Sequence, residues 1–112
     1  VIRLQDDIEE SLHDLRQRGN EFAVAKGNRV RLEHGRKGLI ALLMVRAAKD
    51  HTSVTAQERE ARASAEYKTH CEGEAAAVEL EERTRYELKI AEFRLELFRT
   101  ESANKRTEFR NT

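Results

Sequence analysis

The chain contains no proline, and beyond residue 53 it contains one glycine, Gly73. These two residue types are the usual interruptions of a helix, so the C-terminal half reads as one long helix or as a helix with a break at Gly73. Unbroken over residues 55–109, it would span on the order of 80 Å at 1.5 Å per residue. Inside it, residues 86–98 are apolar on two faces. Leu88, Ala91, Leu95 and Phe98 form one stripe. Tyr86, Ile90, Phe93 and Leu97 form another, rotated by roughly 150° at 100° per residue. One neighbour cannot cover both sides of such a helix, which points to an assembly rather than a lone globule. One stripe is expected to pack on the chain's own 39–49 segment, and the other on the first helix or on a second copy of the chain.

Composition supports the same reading. Charged residues make up 38 % of the 112 residues and apolar residues another 38 %, which suits narrow helix–helix seams better than one round core. Alanine, glutamate, arginine and leucine dominate, all of them strong helix formers. Twenty-one basic residues balance twenty-one acidic ones, so binding to nucleic acid or an anionic surface would need a local patch. The single cysteine, Cys71, excludes an internal disulfide framework and fits a reducing, cytoplasmic setting. The longest apolar run, Leu39 to Val45, is too short to cross a bilayer and ends at Arg46, so no membrane association is expected.

The expected elements are helices at about 1–18, 20–50 and 54–109 within a single domain, 1–112. In the first, Val1, Leu4, Ile8, Leu12 and Leu15 share a face, and Gly19-Asn20 supplies a stop. Residues 22–32 alternate apolar and polar types around Gly27-Asn28, which locally reads as a β-hairpin. Read as a helix, Phe22, Ala25, Leu32, Leu39 and Leu43 make a continuous stripe, and with no sheet for a ribbon to join the helix is preferred. Residues 39–49, apolar nearly all round, are expected at the centre of the packing. Residues 50–53 make a turn, and Thr55 with Glu58 has the form of a capping box. Four Glu-to-Arg or Glu-to-Lys pairs at i, i+4 (58/62, 79/83, 81/85 and 101/105) mark a long solvated surface.

Residues with chemical potential do not converge. His13, His34, His51 and His70 are scattered, and His70-Cys71 are adjacent, so their side chains diverge by about 100° on a helix. The acidic clusters at residues 6–10 and 79–82 fall on polar helix faces as solvated charge. Gly35-Arg36-Lys37-Gly38 has neither the spacing nor the strand context of a phosphate loop. The sequence therefore predicts no enzyme, no cofactor, no metal and no small-molecule substrate. Two basic patches carry more content. Arg29, Arg31, Arg36 and Lys37 form the first. Arg99, Lys105, Arg106 and Arg110, with Arg94 nearby and Phe109 beside them, form the second. The second could follow a phosphate backbone or clasp an acidic protein; its plain alternative is a solvated helix end complementing the dipole.

One resemblance adds to this. Arg29-Val30-Arg31-Leu32-Glu33, Arg36-Lys37, Ala41-Leu42-Leu43-Met44, Ala65-Glu66-Tyr67, the run from Ala91 to Thr100 and Ala103-Asn104-Lys105-Arg106 resemble a family of small phage and prophage early-region proteins. The likeness covers residues 29–110; Phe98 stands where that pattern has tryptophan, and Gly35 and Gly38 where it has helix formers. It implies helix rather than hairpin at 29–44, and a genomic setting among recombination and single-strand-handling genes.

The combined expectation is an all-α, coiled-coil-like oligomer. In it an antiparallel helical hairpin, about 20–50 against 53–110, carries a short N-terminal helix. Its function would be that of a non-catalytic accessory of phage DNA recombination or replication in the host cytoplasm. The alternatives are a module that inhibits or redirects a host nuclease or defence protein, and a structural helical spacer.

Overall fold

The computed structural model describes residues 2–111, and the Val1 position of the first apolar stripe lies outside them. The protein is all-α, with no strand among the described residues. The described residues form three helices, α1 (Ile2–Ala47), α2 (Val54–Ala63) and α3 (Ala65–Asn111). The chain divides into two compact units, one formed by residues 2–24 with 82–111 and the other by 25–81.

Two expected boundaries are corrected. Helix α1 runs straight through Gly19-Asn20, so the stop does not form, and it continues through Gly27-Asn28, as the preferred helical reading of residues 22–32 has it. Neither glycine adopts the positive φ that a glycine stop would use. Ordinary helical backbone costs a glycine at most ~1 kcal/mol, which a packed face on the same helix easily offsets. The long C-terminal helix is interrupted, but at Ser64 rather than Gly73. Ser64 sits extended (φ −70°, ψ 153°) between α2 and α3. Its hydroxyl donates to the Ala61 carbonyl at 2.7 Å and accepts from the Tyr67 N–H at 3.2 Å. One side chain thus closes one helix and caps the next. At the start of α2 the cap is Ser53, whose hydroxyl accepts from Ala56 N–H at 3.2 Å, two residues earlier than the expected Thr55–Glu58 box. Glu58 instead pairs with Arg62 at 3.1 Å.

In the 25–81 unit, Arg29 bonds Glu81, Arg36 bonds Glu74 and Arg46 bonds Glu66. As α1 ascends its partners on α3 descend, so the two segments run in opposite directions. The α1 side of this seam is Ala25, Arg29, Leu32, Arg36, Leu39 and Leu43, and the α3 side is Tyr67, His70, Glu74, Ala77 and Glu81. Steps of four and three alternate, which is the 3.5-residue repeat of coiled-coil packing. Ala25, Leu43, Ala47, Ala61 and Ala77 are buried, and the alanines permit close backbone approach. Residues 39–49 are not enclosed all round as expected. Leu43 and Ala47 face the seam while Leu42 and Val45 lie outside it, because one antiparallel neighbour covers only a narrow stripe.

The other unit repeats the pattern. On α1 the inward residues are Leu4, Ile8, Ser11, Leu15, Arg18 and Phe22; on α3 they are Thr84, Leu88, Ala91, Leu95, Phe98 and Ser102. Arg18 reaches Glu87 at 3.2 Å and Arg94 reaches Asp14 at 4.0 Å, again with opposed chain directions. Arg85 stacks over the Phe22 ring at 5.3 Å. The inner stripe of residues 86–98 therefore packs on the first turns of α1 and not on residues 39–49.

An alanine Cβ at Gly19 or at Gly38 would meet nothing within 4 Å. Gly19→Ala and Gly38→Ala are each expected to raise stability by about 0.5–1 kcal/mol, read as a higher urea midpoint at unchanged slope.

Candidate functional site

The two faces of residues 86–98 fare differently. Ala91 and Leu95 are buried and Leu88 and Phe98 half-buried against α1. The other row is open in the single chain, with Tyr86 68 %, Ile90 54 %, Phe93 73 % and Leu97 63 % exposed. The first helix, expected as a partner for one stripe, occupies the opposite one and does not cover this row. Steps of four, three and four residues align the row along the outside of α3. Four large apolar side chains in one line form a continuous apolar strip on the outside of α3.

Of the two basic patches, the first dissolves. The Arg36 guanidinium makes a two-pronged bond with Glu74, Nε to Oε1 at 2.9 Å and Nη2 to Oε2. Arg29 likewise bonds Glu81, and also Glu33 at 2.8 Å. Only Arg31 and Lys37 remain exposed and without an ion pair among the described residues. By charge alone Arg29 and Arg36 read as surface residues. Their place in the seam was signalled by spacing, since both fit the four-three alternation running from Ala25 to Leu43.

The second patch is partly assembled. Lys105, Arg106 and Arg110 line a cleft of about 540 Å³ together with Leu4, Ile8, Ser102 and Phe109. Among the described residues none of these three cations has an ion pair. Arg99 leans on Glu96 at 3.6 Å, and Arg94 points to Asp14, so neither belongs to the cleft. Leu4 and Ile8, read from sequence only as core, give the cleft an apolar floor. An apolar floor with three cations on its rim can hold a molecule that carries both a flat or apolar part and negative charge.

A third feature was not foreseen. His70 Nε2 lies 2.9 Å from the Leu32 carbonyl and 2.8 Å from Glu74 Oε1. Both neighbours are acceptors, so this nitrogen carries the proton. Arg36, with His70 behind it, holds the buried Glu74 carboxyl below its ordinary 4.5, while Glu74 holds the Arg36 guanidinium above its ordinary range. Cys71 is free and half-buried. Among the described residues no three His, Cys, Asp or Glu side chains converge to hold a metal ion, and no helix is long and apolar enough to cross a membrane.

No protein-family model, curated protein or solved structure matches the chain.

The Glu74 cluster sets a pH response. A carboxyl depressed in the folded state lends stability above its ordinary 4.5 and loses it as pH falls through the lower folded value. The melting temperature is expected to drop as pH is lowered from 4.5. Glu74→Gln should be the less stable protein at pH 7, and its melting curve should converge on that of the native chain in acid. Thermal melts across pH 2–7 followed by circular dichroism read both.

Proposed function

We propose that this protein is a non-catalytic, self-associating helical adaptor that engages single-stranded nucleic acid through the C-terminal end of α3. The observation that carries the reading is the joint placement of Lys105, Arg106, Arg110 and the exposed Phe109 around one cleft. Cations neutralise phosphates and an aromatic face stacks bases, which is the combination single-strand binders use. The net charge of zero does not oppose this, because most other arginines are matched to nearby acids, whereas these three cations have no ion pair among the described residues. Resemblance to phage early-region proteins supports a place in DNA recombination or replication. A second reading, an acidic amphipathic segment of a host protein in the same cleft, is favoured by the Leu4–Ile8 floor.

Self-association in the form of a coiled-coil-like helical hairpin is the other half of the proposal. It is supported by the open row Tyr86, Ile90, Phe93 and Leu97, which a second copy of the chain would cover.

Two measurements test these halves. Fluorescence anisotropy of a labelled oligothymidine is expected to show binding that weakens about twentyfold between 50 and 200 mM salt, the dependence for roughly three phosphate contacts to a single strand. Replacing Lys105, Arg106 and Arg110 by alanine should abolish it. A flat signal at 50 mM salt overturns the nucleic-acid reading. For association, Phe93→Asp should return the protein to monomer with helicity kept, since Phe93 lies on the outside. Leu95→Asp should unfold it, because an unpaired charge at a site only 4 % exposed costs several kcal/mol, on the order of 3–5. Sedimentation and circular dichroism of both variants decide the point.

A further inference from the structure

We infer that the second copy lies antiparallel across the open row, related by a two-fold axis at right angles to α3 between Ile90 and Phe93. This rests on the reading that a second copy covers the row, and it adds orientation and register. The row Tyr86, Ile90, Phe93, Leu97 has steps of four, three and four, so it reads the same in both directions. Two such rows laid head to tail put Tyr86 opposite the partner's Leu97 and Ile90 opposite the partner's Phe93, with a bulky side chain in every layer. Such an arrangement is isologous and closes on itself, leaving no open-ended repeat. Beyond the row stand Arg83 on one side and Thr100 on the other, so the apolar contact is confined to about 17 Å of helix at 1.5 Å per residue. That small patch suits a dimer in exchange with monomer.

Charge decides the direction. The residues flanking the row are Glu82, Glu87, Lys89, Arg94, Glu96 and Glu101. In a coiled coil the side chains bordering the seam meet across it, and which ones meet depends on chain direction. Parallel and in register, Glu82 meets Glu87, Lys89 meets Arg94 and Glu96 meets Glu101, and every pair repels. Antiparallel, Glu87 meets the partner's Arg94 and Lys89 meets the partner's Glu96. Symmetry repeats each contact, and every one attracts. Within the chain Glu87 also holds Arg18 at 3.2 Å and Arg94 touches Asp14 at 4.0 Å. A carboxylate has lone pairs for two cations, so these ties do not remove Glu87 from the interface. Lys89 has no ion pair among the described residues, and Glu96 has only the loose i, i+3 contact with Arg99 at 3.6 Å. Those two are the cleaner probes, because changing them leaves the α1–α3 seam untouched.

The test is the dimer dissociation constant of four proteins, measured by sedimentation equilibrium in about 50 mM salt, with helicity checked by circular dichroism. Lys89→Glu and Glu96→Lys are each expected to weaken the dimer about three- to tenfold, because each turns two attractive contacts into repulsive ones. The double variant Lys89→Glu/Glu96→Lys should return to within about twofold of the native value. A parallel dimer predicts the opposite sign, since Glu at 89 would face Arg94 and Lys at 96 would face Glu101. Tightening by either single change, or no response to both, overturns the antiparallel register. A native chain that stays monomeric at about 100 µM overturns the reading beneath it. A dimer that Phe93→Ser abolishes but the single charge changes do not weaken overturns the orientation alone.

Discussion

Two arginines sit in the α1 seam at positions where a leucine would pack without cost, and the pairing of the 25–81 unit is arranged around matching them. Arg29 has Glu81 and Arg36 has Glu74, each held by two prongs, with His70 filling the space behind the second pair. Taking such groups partly out of water is expensive, and an ion pair in a seam contributes less to stability than an apolar pair of the same volume. What it contributes is register. Sliding α3 by one heptad would set Arg29 against Glu74 and Arg36 against Tyr67, and would leave Glu81 without its arginine. An all-leucine seam has no such preference, because every heptad looks like the next. The alanines at 25, 47, 61 and 77 bring the helices close enough for these side chains to meet.

Much of this was legible in the sequence, and the failures share a cause. The stripe Phe22, Ala25, Leu32, Leu39 and Leu43 was visible because apolar residues announce a buried face. Arg29 reads as surface when charge is equated with exposure, yet it is half-buried; Arg36 does stay exposed, and the buried members of the two pairs are Glu81 and Glu74. Spacing was the better guide. Local signals misled in both directions at the breaks. Gly19-Asn20 looks like a stop, yet α1 continues through it because the residues before and after belong to one packed face. Ser64 looks like any helix residue, yet the chain breaks there because its hydroxyl serves two backbone partners at once. No scale of helix preference contains that competition. The two-faced character of residues 86–98 was readable from periodicity, whereas the identity of the inner partner was not. Periodicity says that a face is buried and is silent about which segment buries it.

The charge balance also takes on meaning only after folding. A net charge of zero describes the chain as a list, but the acids are not spread evenly among the cations. Arg18, Arg29, Arg36, Arg46 and Arg62 each have a carboxylate, whereas Lys105, Arg106 and Arg110 gather at one end with no ion pair among the described residues. The positive potential at that end is therefore local and screened by salt.

The interruption at Ser64 separates two hydrogen-bond ladders. Helix α2 has only ten residues, fewer than the roughly 12–15 that sustain an isolated helix in water. It stands because serines close both of its ends and because Ala61 is wedged against the rest of its unit. Since α3 brings its own cap, melting of residues 48–63 leaves its backbone ladder intact. The segment is a detachable clasp, able to open to amide exchange or a protease with the remaining helices still in place.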